Sequence, residues 1–125
     1  MVYVIDDDES IRRAFSRLFR SADIAAETFP GPEEFLACAR QEENACIIAD
    51  LHMPGSTGFD LEKELTNRGL KIPVIVVSAS DDEKSREHAR ALGAVAFFRK
   101  PVDDQALLDA VWWVLSGTAG KNKEK

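Results

Sequence analysis

An α/β domain built on one parallel sheet with helices on both faces is the predicted fold class, and three observations predict it. Strand-like and helix-like segments alternate five times along the 125 residues, the pattern of right-handed β-α-β crossovers. Four of the five strand-like runs are apolar on both faces, which suits central strands covered on each side. Capping and turn-forming residues stand where the segments change.

In chain order, Val2 to Ile5 reads as the first strand. Ile11, Ala14, Phe15, Leu18 and Phe19 recur at three and four residues and form one face of the first helix. Ile24 to Phe29 is more broken and suits an edge strand, while Ala45 to Ala49, Val74 to Val77 and Val95 to Phe98 join the first run as central strands. The intervening helices are read at Pro32 to Arg40, Gly58 to Arg68, Asp82 to Leu92 and Asp103 to Leu115. Pro30-Gly31-Pro32 marks a turn, Pro73 breaks the chain before the fourth strand, and Gly69 and Gly93 stand where helices end. Ser80 followed by Glu83 reads as a capping box, and Asp8 as the cap of the first helix. Residues 1-116 form the expected domain, with 117-125 a solvated tail or linker stub of small and charged residues.

Bulk properties narrow the function. An apolar fraction of 45% with 30% charged residues belongs to a globular chain and not to a membrane one. The first apolar run leads straight into Asp6, Asp7 and Asp8 without the basic start of a secretory signal, so a cytoplasmic location is expected. A net charge of -6, with no basic cluster interleaved with aromatics, argues against direct contact with nucleic acid. Cys38 and Cys46 match no thiolate zinc spacing and are expected to be reduced and packed.

Parallel sheets bind ligands outside the carboxyl ends of their strands. Those ends carry Asp6 and Asp7, Asp50, Ser78 and Lys100, so three acids, a hydroxyl and an amine converge from four strands. Each has a plain structural alternative: capping for an aspartate, a side-chain turn for the serine, solvation for the lysine. Their coincidence at one sheet edge favours a site. Crowded carboxylates repel one another, and a hard divalent cation relieves that repulsion through oxygen ligands. Such an ion keeps positions open for a phosphate oxygen while lysine and hydroxyl groups orient the rest, so phosphoryl transfer to a carboxylate is the chemistry expected.

The motifs Val4-Ile5-Asp6-Asp7-Asp8, Asp50-Leu51-His52-Met53-Pro54-Gly55 with Gly58, Val76-Val77-Ser78-Ala79 and Arg99-Lys100-Pro101 together resemble CheY-like receiver domains of two-component response regulators. The likeness covers essentially the whole chain up to the tail. It implies a flavodoxin-like (βα)5 three-layer sandwich with strand order 2-1-3-4-5. It also implies that Asp50 accepts a phosphoryl group from a sensor histidine kinase or phosphotransfer protein. Magnesium or manganese would be held by Asp7, Asp50 and the backbone carbonyl of His52, with Asp6 acting mainly through water. Ser78 and the backbone N-H of Ala79 would hold phosphoryl oxygens, Lys100 would pair with another, and the Lys100-Pro101 peptide would be cis. Phe97 matches a switch position whose ring turns inward as Ser78 moves; the plain alternative is a permanently packed strand residue. Phe98 is core on the opposite face. The His52 and His88 side chains are expected at the rim and in solvent.

Leu107, Val111, Val114 and Leu115 give the buried face of the last helix, and the consecutive Trp112 and Trp113 cannot both share it. At least one is expected to be partly exposed, and Trp113, on the side of Asp109 and Ser116, is the choice. In receivers the surface of the fourth helix, fifth strand and fifth helix pairs on phosphorylation, so Trp113 is a candidate contact for a homodimer or partner. The residues after Asp50 and the Arg99-Lys100-Pro101 ending also look like FixJ-type receivers, which precede a DNA-binding output domain. Two other readings stand beside this one. Asp6-Asp7-Asp8-Glu9-Ser10 looks like the start of a haloacid dehalogenase enzyme, a small aspartyl-phosphate phosphatase or phosphotransferase with Asp6 as nucleophile. That reading leaves Asp50 unexplained and the chain without room for a substrate-enclosing cap. The other is an interaction module of the same fold that works without phosphorylation, although no site residue is missing.

Overall fold

The structure, a computed structural model, describes residues 1–38, 44–50, 58–79, 82–91 and 93–116, with the backbone alone for 58–62. Five strands alternate with five helices: β1 (Val2–Ile5), α1 (Glu9–Ser21), β2 (Ala26–Phe29), α2 (Pro32–Cys38), β3 (Cys46–Asp50), α3 (Gly58–Asn67), β4 (Val74–Ser78), α4 (Glu83–Ala91), β5 (Ala96–Arg99) and α5 (Asp104–Leu115). All strand pairs are parallel, in the order β2-β1-β3-β4-β5. The flavodoxin-like architecture and its strand order are therefore those expected.

Period-two alternation divides the strands between two cores. Tyr3, Ile5, Ile47, Ala49, Val74 and Val76 meet Phe35 and Leu36 of α2, Leu65 of α3 and Ala89 of α4. Val2, Val4, Cys46, Ile48, Ile75 and Val77 meet Phe15 and Phe19 of α1 and Leu107, Val111 and Val114 of α5. Two helices thus cover one face and three the other, and every strand runs its carboxyl end to the same edge.

Local chemistry fixes the joints. Asp8 caps α1 by accepting the Ser10 N–H at 2.8 Å, and Asp103 caps α5 by accepting the Ala106 N–H at 2.8 Å. Gly69 and Gly93 end helices at φ of +70° and +71°, where a Cβ would strain the backbone.

Several expectations are corrected. The Val95 to Phe98 run is an edge strand, its residues half-buried and Val95 39% exposed, because β5 pairs with β4 alone. Asp82 does the capping expected of Ser80, accepting the Ser85 N–H at 2.8 Å, since the described helix starts at Glu83. Ser80 itself lies outside the described residues. Both cysteines are free, but Cys38 is exposed at the end of α2, and only Cys46 is packed. His88 is half-buried rather than fully solvated. The tail at 117–125 lies outside the described residues. Among the described residues no helix is long and apolar enough to cross a membrane.

Candidate active site at the carboxyl edge of the sheet

Asp6 leaves β1 directly after the buried Ile5, so its side chain is turned into the sheet edge with 1% of its surface exposed. It accepts hydrogen bonds from the Asp8 N–H and from Lys100 Nζ, both at 2.9 Å. Asp50 is the last residue of β3, 6% exposed, and Lys100 Nζ reaches it at 3.3 Å. Asp7 is exposed, yet carboxylate oxygens of Asp6, Asp7 and Asp50 all lie within 4.8 Å of one another. One ammonium therefore pairs with two of three clustered carboxylates.

Burial disfavours the charged form of Asp6 and raises its pKa above the usual aspartate value. Hydrogen bonds from Asp8 and Lys100 and the nearby ammonium oppose the rise, and the charge of Asp50 adds to it. Burial also works against the Lys100 ammonium, but its hydrogen bonds and ion pairs with Asp6 and Asp50 outweigh that and raise its pKa. Lys100 therefore stays charged at neutral pH. The surplus of two negative charges, carried entirely on hard oxygen donors, fits a hard divalent cation.

Ser78 ends β4 fully buried, one position beyond Val77, the residue that pairs with Asp50. Its carbonyl accepts the Lys100 N–H at 2.7 Å, which ties the last two strand ends together. Ala79 follows at the exposed rim, and the Lys100-Pro101 peptide is cis as expected. The His52 carbonyl lies outside the described residues. Phe97 sits on β5, half-buried against the core shared by β4 and α4, while Phe98 packs on the opposite core.

Two contacts were not legible in the sequence. Arg12 Nη1 donates to the Asp6 carbonyl at 2.7 Å, anchoring α1 to the site, and the Arg86 guanidinium lies over the Phe97 ring, 5.3 Å from its centre. Neither has a local motif, because each joins residues that meet only after the helices dock. Trp113 is 40% exposed as expected, and Trp112 is exposed as well, by 51%.

The model of the response regulator receiver domain matches residues 2–112. The chain belongs to this family. The receiver is similar to nodulation protein W of Bradyrhizobium diazoefficiens, 36% identical over 89% of this chain and 49% of that protein. It is also similar to the transcriptional regulatory protein FixJ of Azorhizobium caulinodans, 35% identical over 99% of this chain and 59% of that protein. The chain thus spans about half to three-fifths of the length of these relatives. A crystal structure of a receiver protein from Burkholderia phymatum superposes with a TM-score of 0.77 at 41% identity, covering 92% of this chain and 94% of that one. The receiver is a two-component signalling module, and its FixJ-like character agrees with the residues around Asp50 and Lys100. The phosphatase reading is not favoured, since the matches are to receivers.

Proposed function

We propose that this receiver takes a phosphoryl group onto a carboxylate oxygen of Asp50. The observation that carries the reading is the Lys100 ammonium lying between Asp6 and Asp50 at a buried sheet edge, 2.9 Å and 3.3 Å from their oxygens. Asp50 would attack phosphorus as the bond to the donor's leaving group breaks, giving an acyl phosphate. Lys100 would balance phosphoryl charge, while the Ser78 hydroxyl and the Ala79 N–H would hold the remaining oxygens. Asp7, Asp50 and the His52 carbonyl would hold magnesium or manganese, with Asp6 acting through water. The ion would supply charge neutralisation and orientation of the phosphoryl group.

The donor is proposed to be a sensor histidine kinase or phosphotransfer protein, in the cytoplasm. Residues 1-116 would form the receiver unit, with self-phosphorylation and self-dephosphorylation as its only chemistry. The relatives named transcriptional regulators support a DNA-binding output domain beyond it. Phe97 would move inward with Ser78, and Trp113 would contribute to a phosphorylation-dependent contact on the surface of α4, β5 and α5.

Incubation with acetyl phosphate and magnesium tests the site by intact mass. One phosphoryl group should be gained by the wild type and none by Asp50→Asn with its fold intact. Uptake that survives in Asp50→Asn and vanishes in Asp6→Asn would move the acceptor to Asp6.

A further inference from the structure

The exposed side of α1 carries charge opposite to that of the rest of the molecule. Arg12, Arg13, Arg17 and Arg20 against Glu9 give this helix a charge of +3, leaving -9 for the remainder of a chain whose net charge is -6. Arg13, Arg17 and Arg20 stand at i, i+4 and i+7, so they share one stripe about 10 Å long. They line a cleft of about 470 Å³ together with Glu9, Arg12 and Ser16 of α1 and Thr28 of β2. Arg13 pairs with Glu9, an exposed contact that a competing carboxylate displaces at little cost. Among the described residues Arg17 and Arg20 have no carboxylate partner.

We infer that the α1 stripe is a docking surface for a short acidic segment of a partner protein, whose carboxylates pair with Arg13, Arg17 and Arg20. Guanidinium groups suit this role because their planar forks match carboxylates two bonds at a time. Length and charge select the occupant. A single phosphate cannot reach three arginines spread along two turns. Duplex DNA or an anionic membrane extends far beyond the stripe and meets the -9 remainder, whereas a segment about as long as the stripe lies within roughly one Debye length of it and is spared most of that repulsion. Ser16 and Thr28 add hydroxyls along the same groove. The surface is independent of whether Asp50 is phosphorylated.

The test is fluorescence anisotropy of a short labelled polyglutamate peptide with the full chain at about 0.1 M salt, where the Debye length is about 10 Å, with polyglutamine, duplex DNA, phosphatidylserine vesicles and pyrophosphate as competing probes. Polyglutamate should bind and polyglutamine should not. Joint replacement Arg13→Glu, Arg17→Glu and Arg20→Glu should weaken binding by about tenfold or more, and rising salt should weaken it likewise. Lys84→Glu, an exposed charge change on α4, should leave it unaltered. Amide shift changes on peptide addition should fall on α1, and the single change Arg17→Gln should reduce them if the triple variant does not fold. Unchanged affinity in the folded triple variant, shifts confined to other elements, or tighter binding of DNA, vesicles or pyrophosphate to this face would each overturn the assignment.

Discussion

Replacing Lys100 by methionine removes the one ammonium that, among the described residues, pairs with the carboxylate cluster, while keeping a side chain of similar length. At an effective dielectric of about 20, charges separated by the observed 2.9 Å and 3.3 Å attract by about 6 and about 5 kcal/mol. Methionine avoids the desolvation of the ammonium, and water reaches this side chain, which is 19% exposed, so the net loss falls toward about 3 kcal/mol, the low end for breaking a buried pair. A domain of this size tolerates that loss and stays folded. The pH dependence has a definite sign. Lys100 holds down the pKa of Asp6, which burial already raises, so the variant raises it further in the folded state. Stability tied to a raised carboxyl pKa is complete below the ordinary aspartate range and is lost as pH rises through the folded value. The deficit should therefore be small in acid and open toward neutral pH. The raised pKa of Lys100 itself keeps the wild-type pairs intact until pH exceeds the ordinary lysine value of 10.5. Urea unfolding of both proteins in chelator, stepped from acid to neutral pH, reads this directly, and excess magnesium should close part of the gap. A neutral-pH deficit under about 0.5 kcal/mol, or one that stays flat with pH, would refute the electrostatic account of the site.

Other expected outcomes rest on different parts of the structure. Leu107→Ala empties a fully buried position under α5 and should cost about 2–5 kcal/mol in chemical unfolding, whereas Trp113→Ala should change stability by less than about 0.5 kcal/mol. Gly93→Ala meets no atom within 4 Å of the new Cβ, so its cost is backbone strain alone at φ +71°. Partial compensation in the unfolded chain should leave about 1 kcal/mol in a thermal melt. Thiol titration of the folded protein at mildly alkaline pH should count one group, because burial pushes the Cys46 thiol up to about 12 while Cys38 is exposed. Denaturant should release the second.

The outline of the fold was readable because each element carries its own local signature. Both-face apolar runs, helical spacing in Ile11 to Phe19 and glycines past two helix ends do not depend on distant parts of the chain. Boundaries moved by a residue or two where a competing group took the joint, as Asp82 did at α4 in place of Ser80. Composition alone makes β5 look like a central strand, since Ala96, Phe97 and Phe98 are apolar, whereas the strand order implied by the resemblance already sets it at the edge. What placed it at the edge is pairing with β4 only.

By itself the sequence determined which side chains stand at the strand ends: parallel strands joined by crossovers bring all their carboxyl ends to one edge, so the positions of Asp6, Asp7, Asp50, Ser78 and Lys100 follow from the order of the apolar runs alone. Tertiary structure alone decided how those groups are balanced. Enclosure of Asp6 and Asp50, the reach of Lys100 between them, the Arg12 contact to the Asp6 carbonyl and the Arg86 guanidinium over Phe97 all depend on how helices dock on the sheet. Desolvation and charge pairing act through space, and distance in space is what a local sequence pattern does not encode.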